Sequence, residues 1–294
     1  MAVTTSGQIL QVLDPAKQEV FLDGAIRLSD IDAYTWIRVR PADTRTIEKA
    51  SINPPGTYSP KAEGSDYSWS EMTQGNSKTY TMSESQMAFQ VSSFSNHFLN
   101  STLQSEFFSS IGASGTRKLN SDAYSVISGG FTDTGPDGVS LFNDSHPMAD
   151  GSTSDNRATA ALAESSLQAA LVVLRRQLTP DGVLSSASPD YLIVPPDLEF
   201  AAKELVGSDL SGADMQLNVV KSKNLTVLVA PDLTDTSDWF LLDSQSFRAY
   251  QFVAKGPNPQ SYIDPASDNY RVKDSIISCQ GYDGWRGSFG AVVA

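Results

Sequence analysis

The sequence has a single cysteine, two histidines and no long apolar run, and each of these shortages excludes a class of protein. Because Cys279 has no second cysteine to pair with, we expect neither an internal disulfide nor a zinc site built from several thiolates. No apolar stretch approaches the roughly 18 residues that span a bilayer, so we expect no membrane contact. The first residues lack a basic segment followed by an apolar one, which predicts no signal peptide and a protein that stays where it is made.

Positive charge is also scarce, since 21 lysines and arginines face 34 aspartates and glutamates and the net charge is −13. A protein that grips nucleic acid through its phosphates normally carries a basic patch, and no part of this chain forms a basic module. The acidity is typical of ordinary solubility. The alternative is a surface that must enclose DNA without adhering to it.

Residue sets typical of catalysis are weak. The tripeptide at 133–135 (DTG) matches that of aspartic proteases, whose chemistry needs two carboxylates that share a proton, but it occurs once and follows a turn instead of an apolar strand. We interpret Asp133 as part of an Asx turn, with a monomeric aspartyl hydrolase as the alternative that Asp133→Asn would test. Two histidines are too few for a multi-histidine metal site, and His146 is interpreted as a hydrogen-bonding loop residue.

The remaining chemical signals point the same way. No glycine-rich phosphate loop followed by lysine is present, and neither is a spaced dinucleotide fingerprint. Cys279 lies in an apolar strand and is expected to be a small buried residue. We therefore predict no catalytic residue, no cofactor and no metal, which favours a structural or binding role.

The periodicity of apolar residues predicts a mixed α/β chain whose last strands are antiparallel. Apolar residues recur at helical spacing from Phe98 to Ile127, interrupted at Gly112 and Gly115, which predicts a long helix or a broken pair. Further helices are predicted at Leu167–Leu178 and after the prolines at 195–196. Short alternating or apolar runs predict strands. These runs are Tyr34–Arg40, Lys78–Val91, Val139–Phe142, Tyr191–Val194, Leu217–Val220, Leu225–Val229, Trp239–Leu242, Ala249–Val253, Tyr270–Ser278 and Ser288–Val293.

The first two predicted strands are separated by about forty residues that are rich in turn formers and poor in apolar side chains. A structureless loop this long is uncommon inside a compact domain, so the segment is either disordered or built to reach a partner. Its first limb is basic and its second limb is acidic. The limbs either neutralise each other across a hairpin or complement neighbouring subunits. The candidate contacts between subunits are Arg38, Arg40, Arg45, Lys49, Lys61, Glu63, Asp66 and Glu71.

A series of motifs, in a fixed order along the chain, resembles the Mu-like phage major head subunit family. The motifs are SLFNDSHP at Ser140–Pro147, LRRQ at Leu174–Gln177, DG at Asp181–Gly182, YLIVPPDLE at Tyr191–Glu199, DWFLL at Asp238–Leu242 and GWRG at Gly284–Gly287. The resemblance covers roughly residues 75–294, and the preceding residues resemble the family only in the general composition of their segments. It implies an α+β fold of the Hong Kong 97 type.

The resemblance also implies how the chain is organised. It places an N-terminal arm at 1–32, an extended E-loop with flanking strands at 33–92, and a peripheral domain with a spine helix at 93–155. An axial α/β domain follows at 156–254, and residues 255–294 return to the peripheral domain. In this arrangement the long loop lies across an adjacent subunit.

The function implied by the resemblance is that of a major capsid protein of a tailed double-stranded DNA bacteriophage, without enzymatic activity. Such a protein self-assembles through pentamers and hexamers into the icosahedral head that encloses the genome. The alternative with the same fold is an encapsulin-like nanocompartment shell protein.

The implied partners are further copies of the chain, a portal protein, candidate scaffold and decoration proteins, and packaged double-stranded DNA bound without sequence specificity. The implied location is the virion capsid, assembled in the host bacterial cytoplasm. Some relatives crosslink a loop lysine to an asparagine of a neighbour. Lys49, Lys61 and Lys78 are the lysines of this loop, but none aligns with such a site and crosslinking is not expected.

Overall fold

The computed structural model describes residues 32–53, 58, 60–69, 73–98, 101–148, 151–180, 182–185, 187–208 and 220–293. Predictions that fall wholly or partly outside these residues include the N-terminal arm up to residue 31, residues 54–57, 59 and 70–72 of the E-loop with the candidate contact Glu71, residues 99–100 of the predicted helix Phe98–Ile127, and residues 217–219 of the predicted strand Leu217–Val220.

The described residues form four α-helices and fourteen strands. The helices are α1 (Ser93–Phe98), α2 (Ser101–Ser128), α3 (Glu164–Arg176) and α4 (Glu199–Gly207). The strands are β1 (Arg38–Pro41), β2 (Thr46–Asn53), β3 (Thr73–Thr81), β4 (Ser83–Val91), β5 (His146–Pro147), β6 (Thr153–Ser154), β7 (Arg157–Ala158), β8 (Tyr191–Val194), β9 (Thr226–Val229), β10 (Trp239–Leu242), β11 (Ala249–Lys255), β12 (Gln260–Ile263), β13 (Tyr270–Tyr282) and β14 (Ser288–Ala291). None of these helices combines the length and apolarity needed to cross a membrane.

Two five-stranded sheets organise these elements. The first has the order β1-β11-β13-β12, with β4 paired along the other edge of β13. The second has the order β7-β14-β10-β8-β9. Among the strands that the structure describes, β2 and β3 pair with each other alone, as an antiparallel ribbon, and β5 pairs with β6.

The second sheet separates two hydrophobic cores because successive side chains of a strand point to opposite faces. Phe240 and Leu242 of β10 face the core that contains the C-terminal half of α2. Trp239 and Leu241 face the core that α3 and α4 cover. The sheet is therefore buried on both faces, which explains why its central strands read as continuous apolar runs.

Helix α2 passes through both interrupting glycines without a break, so the prediction of a long helix is confirmed and the broken pair is wrong. A β-carbon at Gly115 would lie 2.8 Å from Cγ of Pro257. The glycine therefore permits the close approach of the segment between β11 and β12 and does not end the helix.

The first predicted strand, Tyr34–Arg40, begins too early. Asp32–Thr35 forms a 3-10 turn, and the strand runs from Arg38 to Pro41. Trp36 and Ile37 are both buried, and the ring of Trp36 lies 5.8 Å from that of Tyr124 on α2. Because two consecutive side chains enter the core, the alternation that predicted a strand does not hold before Arg38.

The described limbs of the long loop contain regular structure, so the alternative that the loop is disordered is wrong for these limbs, and the alternative that it reaches a partner stays a prediction. Strands β2 and β3 form its two limbs. The predicted strand Lys78–Val91 is divided at Met82, whose N–H donates to the carbonyl of Arg45 over 2.9 Å. Residues before this point pair with β2, and residues after it pair with β13.

The other predicted strands have mixed outcomes. Tyr191–Val194 and Trp239–Leu242 are confirmed with the predicted bounds. Val139–Phe142 is wrong as a strand, since Ser140 forms only an isolated bridge with Thr134. Val220 begins a 3-10 turn, Val220–Lys223, and is not the end of a strand.

The predicted segment boundaries stay a prediction. Within the last predicted segment, 255–294, strand β13 belongs to the first sheet and β14 lies between β7 and β10 in the second. This segment therefore contributes to both sheets.

Candidate assembly surface

The root of the β2–β3 ribbon, where the ribbon joins the body, is held by Tyr80. The hydroxyl of Tyr80 donates to the carbonyl of Tyr282 over 2.6 Å and accepts from the N–H of the same residue over 3.1 Å. Burial raises the pKa of Tyr80 to about 12, so the phenol stays a neutral donor at any ordinary pH. The root is therefore part of the body and not a free arm.

Lys49 and Lys78 lie directly opposite each other on the ribbon. Like charges in this position are destabilising unless other groups compensate. The ammonium of Lys49 lies 4.3 Å from the ring centroid of Tyr250, and Lys78 donates to the carbonyl of Thr134 and lies 5.3 Å from the centroid of Tyr80. Aromatic faces and a carbonyl therefore hold both lysines against the body.

The proposed neutralisation of the two limbs across the hairpin is not observed. Glu48 of the basic limb faces Thr79, and Lys49 faces another lysine. Among the ion pairs between described residues, none joins the basic limb to the acidic limb.

The three arginines predicted as contacts lie near the root. Arg38 and Arg40 are on β1, and Arg38 donates to the carbonyl of Ser244 over 3.4 Å. Arg45 lies just before β2, where its carbonyl accepts from Met82. These arginines border the first sheet, together with Lys49.

The tip of the ribbon, residues 58 and 60–69, contains the other described candidates. Lys61, Glu63 and Asp66 are all exposed, and the ammonium of Lys61 lies 3.9 Å from the ring centroid of Tyr67. The eight predicted charges therefore do not form one site, since four lie at or near the root, three lie at the tip, and Glu71 lies outside the described residues.

The charge pattern missed the tip's most unusual feature. Tyr58, Tyr67 and Trp69 are all exposed, and Trp69 is 91% exposed. Aromatic residues in a loop with little other apolar material are the sequence signal that would have found them. Exposed aromatic side chains on an extended element are typical of interface anchors.

His146 joins the loops around residues 137–156. It is fully buried, its Nδ1 lies 2.6 Å from Oδ2 of Asp137, and its Nε2 lies 3.0 Å from Oδ1 of Asn156. The imidazole also stacks on Trp285 with the ring centroids 4.2 Å apart. The prediction that His146 forms hydrogen bonds is confirmed, but it lies in the two-residue strand β5 and not in a loop, and sequence reasoning missed all three of its partners.

Asn156 extends this network into the second sheet. Its Oδ1 accepts from the N–H of Asn143 over 2.9 Å, and its Nδ2 donates to the carbonyls of Leu141 and Ser288 over 2.8 and 3.3 Å. One buried amide therefore fixes the 141–143 segment against β14.

Asp133 and Cys279 have no arrangement suited to catalysis. Asp133 is exposed and follows the 3-10 turn Gly129–Phe131. Cys279 is buried in the cluster that includes Tyr80 and Tyr250, and burial raises the pKa of its thiol. The prediction that Cys279 is a buried residue is confirmed.

Solved capsid and particle structures have this architecture. The mature capsid of bacteriophage PhiM1 aligns with a TM-score of 0.62 at 11% identity, covering 89% of this chain and 86% of that chain. The capsid of cyanophage P-SCSP1u aligns with a TM-score of 0.61 at 8% identity, covering 88% and 86%. A virus-like particle from Pyrococcus furiosus aligns with a TM-score of 0.57 at 12% identity, covering 95% and 100%. The chain therefore has the α+β Hong Kong 97-type capsid fold.

A match to a protein-family model supports the same assignment as the fold. The family model described as "Phage capsid protein" matches residues 94–294, which is more than half of the chain, so the chain belongs to the phage capsid protein family. It is a major capsid protein, a structural protein of the virion shell. No curated protein sequence matches it significantly.

Proposed function

We propose that this chain belongs to the Mu-like major head subunits of tailed double-stranded DNA phages and assembles through pentamers and hexamers into the icosahedral head. The ordered motifs from residue 140 to residue 287 support the Mu-like assignment. Assembly takes place in the host bacterial cytoplasm, and the chain has no enzymatic activity of its own.

The observation that supports this proposal is the structure of the β2–β3 ribbon. A two-stranded ribbon that pairs with no other described strand is marginally stable in water, and its tip exposes three aromatic rings. Both features are costly in a monomer and favourable in a shell, where neighbouring subunits cover the tip. Many such modest contacts become strong together through avidity.

The predicted segments and contacts fit this scheme as proposals. The arm at 1–32 and the E-loop at 33–92 extend the footprint of the subunit, the peripheral segments 93–155 and 255–294 and the axial segment 156–254 form the body, and Lys61, Glu63, Asp66 and Glu71 contact a neighbour. Arg38, Arg40, Arg45 and Lys49 contact the neighbour closer to the root.

Further partners are proposed from the same assignment. They are a portal protein, scaffold and decoration proteins, and packaged DNA. The net charge of −13 supports a shell that encloses DNA without sequence-specific binding.

Removing the tip tests the proposal. Asn53 and Thr73 are cross-strand partners, so replacing residues 54–72 with Asn-Gly closes the ribbon with a two-residue turn. We expect a folded subunit that no longer forms shells, measured by circular dichroism, sedimentation and electron microscopy.

A matched control separates length from chemistry. In it, residues 54–72 are replaced by glycines and serines of the same number, and we again expect folding without assembly. Normal shells from both variants would contradict the role of the tip, and an unmodified chain that stays monomeric at every concentration and salt would contradict the function.

The encapsulin-like alternative has one observation in its favour, the match to a virus-like particle. The family match favours the phage assignment. Micrographs of native particles distinguish them, because a phage head carries a tail and DNA and a nanocompartment carries a cargo enzyme.

A further inference from the structure

The four tryptophans of the chain are divided unequally between core and surface. Trp36, Trp239 and Trp285 are at most 3% exposed, whereas Trp69 is 91% exposed at the tip of the ribbon. Tryptophan is strongly enriched among residues that dominate binding energy at protein interfaces. A ring held this far into solvent therefore indicates a pocket on another molecule.

A groove of suitable chemistry lies on the body, between helix α2 and strands β4 and β13. We call it the α2–β4 groove. Its lining includes Gln86, Met87, Ile111, Ser114, Lys118 and Ile276. Ile111 and Ile276 form a buried apolar floor, and Met87 is 42% exposed although it belongs to the wall.

The size of the groove fits one large aromatic ring. Its volume is about 200 Å³. An apolar cavity of about 150 Å³ holds benzene, so this groove accommodates an indole.

The polar groups of the groove also fit an indole, which has one N–H donor and an apolar body. The side chains of Gln86 and Ser114 line the groove and carry oxygens that can accept from that N–H. A tyrosine would fill the floor as well, but Tyr67 already has Lys61 over its ring, and Tyr58, which is also exposed, has a smaller ring without an N–H donor. Trp69 is therefore the tip side chain that matches the groove best.

Charge favours a second copy of this chain as the source of the ring. The described tip carries Glu63 and Asp66 beside Trp69, and Lys61 is the one cation among them, held against Tyr67. The groove is lined by one cation and one anion. Asp274 is 8% exposed and accepts from the N–H groups of Asn258 and Ser275, whereas Lys118 is 44% exposed and pairs with Asp122 in a surface ion pair, so Lys118 is the charge that a partner meets. Such exposed pairs contribute little, so Lys118 can exchange its partner for a carboxylate of the tip.

We propose that Trp69 of one subunit inserts into the α2–β4 groove of a second copy, with the carboxylates of the tip near Lys118. This inference rests on the proposed function, because it names the surface that the tip binds in the shell. It assigns the specificity of that contact to one ring and one groove.

A photocrosslinker at position 69 tests the contact. Full-length chain with p-benzoylphenylalanine in place of Trp69 is mixed as a minor component with unmodified chain, so that the unmodified chain carries assembly. After irradiation of the shells, we expect a covalent dimer whose crosslinked peptides contain Met87, Ile111 or Ile276. The control carries the same group in place of Phe200, which is 81% exposed on α4, and is expected to give none of these peptides.

The outcomes separate this inference from the proposed function. Crosslinks that map elsewhere, crosslinks within one chain, or shells without a crosslink would overturn the Trp69 contact and leave the shell function standing. If the unmodified chain forms no shell or capsomer, the proposed function itself fails.

Intrinsic fluorescence gives a second readout that needs no probe. Because the other tryptophans are already buried, a blue shift of emission on assembly reports Trp69 entering an apolar site. We expect Trp69→Phe to lose this shift. An unchanged shift in that variant, or no shift in the unmodified chain on assembly, would also overturn the inference.

Discussion

The ring of Tyr80 lies against the backbone of Gly281, in the space that a β-carbon at residue 281 would occupy. This contact lets the hydroxyl of Tyr80 reach both backbone groups of Tyr282. The root of the E-loop ribbon is thus attached to β13 by a close approach that only glycine permits.

Gly281→Ala is expected to loosen the root. The added methyl overlaps the ring of Tyr80, and overpacking of this kind costs about 1–3 kcal/mol of unfolding free energy. Urea denaturation of the unassembled subunit measures the change. Gly284→Ala is the matched control, since a β-carbon there meets nothing within 4 Å, and equal stability of the two variants would contradict the close contact.

Cys279 is expected to react slowly with a thiol reagent. Its burial raises the pKa of the thiol, so the fraction of reactive thiolate at a given pH is lower than for a free cysteine, and the rate rises as the pH rises. Tyr80→Ala opens the cluster that covers the thiol and should increase the rate several-fold. Colorimetric kinetics on the folded subunit measure both rates, and an unchanged rate in the variant would show that the root does not shield Cys279.

Asn156→Ala is expected to destabilise the subunit strongly. It removes the partner of the Asn143 N–H, the Leu141 carbonyl and His146, all in or next to the core. Each buried group left without a partner costs about 1–3 kcal/mol, so we expect a loss of about 3 kcal/mol or more in unfolding free energy. Thermal and urea unfolding measure it.

Ser145→Ala serves as the control for Asn156, because Ser145 is an exposed residue that directly precedes His146. Surface substitutions of this kind usually change stability by less than about 0.5 kcal/mol. A loss for Asn156→Ala no larger than that of this control would mean that the network does not hold the loops to β14.

Gly115→Ala is expected to lower stability although alanine is the better helix former. Alanine gains about 1 kcal/mol in a helix interior, but its β-carbon would lie 2.8 Å from the rigid ring of Pro257. Overpacking costs about 1–3 kcal/mol, so the net effect is a loss of up to about 2 kcal/mol. Gly207→Ala, at the end of α4 with nothing within 4 Å, is expected to be neutral or stabilising, and the reverse order of the two variants would refute this explanation.

Much of the body could be predicted from the sequence. The strands Tyr191–Val194 and Trp239–Leu242 are short apolar runs with clear ends, and both occur with the predicted bounds. Of the leucines that predicted a helix at Leu167–Leu178, Leu167, Leu171 and Leu174 face one core from α3. The predicted end is wrong, since α3 ends at Arg176 and Leu178 packs against the other core. These patterns can be read from short segments, because burial of one face of a helix or of a whole strand places apolar residues at regular positions in the sequence.

The candidate site was less predictable. The charged limbs were recognised, but the pairing of Lys49 with Lys78 depends on the register between distant strands. Tyr250 and Thr134 compensate the repulsion between the two lysines, and these contacts depend on where the ribbon meets the body. The partners of His146 come from three separate turns and loops. Spacing along the chain carries no information about such contacts.

The amino-acid sequence by itself determined the class of the protein: an acidic chain without a catalytic set, with ordered motifs typical of phage head subunits and a long loop too poor in apolar residues to have a core. Tertiary structure alone decided that the loop is a ribbon whose root packs against Gly281 and that two glycines stay inside one helix. It also decided that Trp69 remains in solvent while the other three tryptophans are buried. The physical reason is that composition and periodicity record which side chains leave water, whereas close approaches and exposed rings depend on which distant surfaces meet.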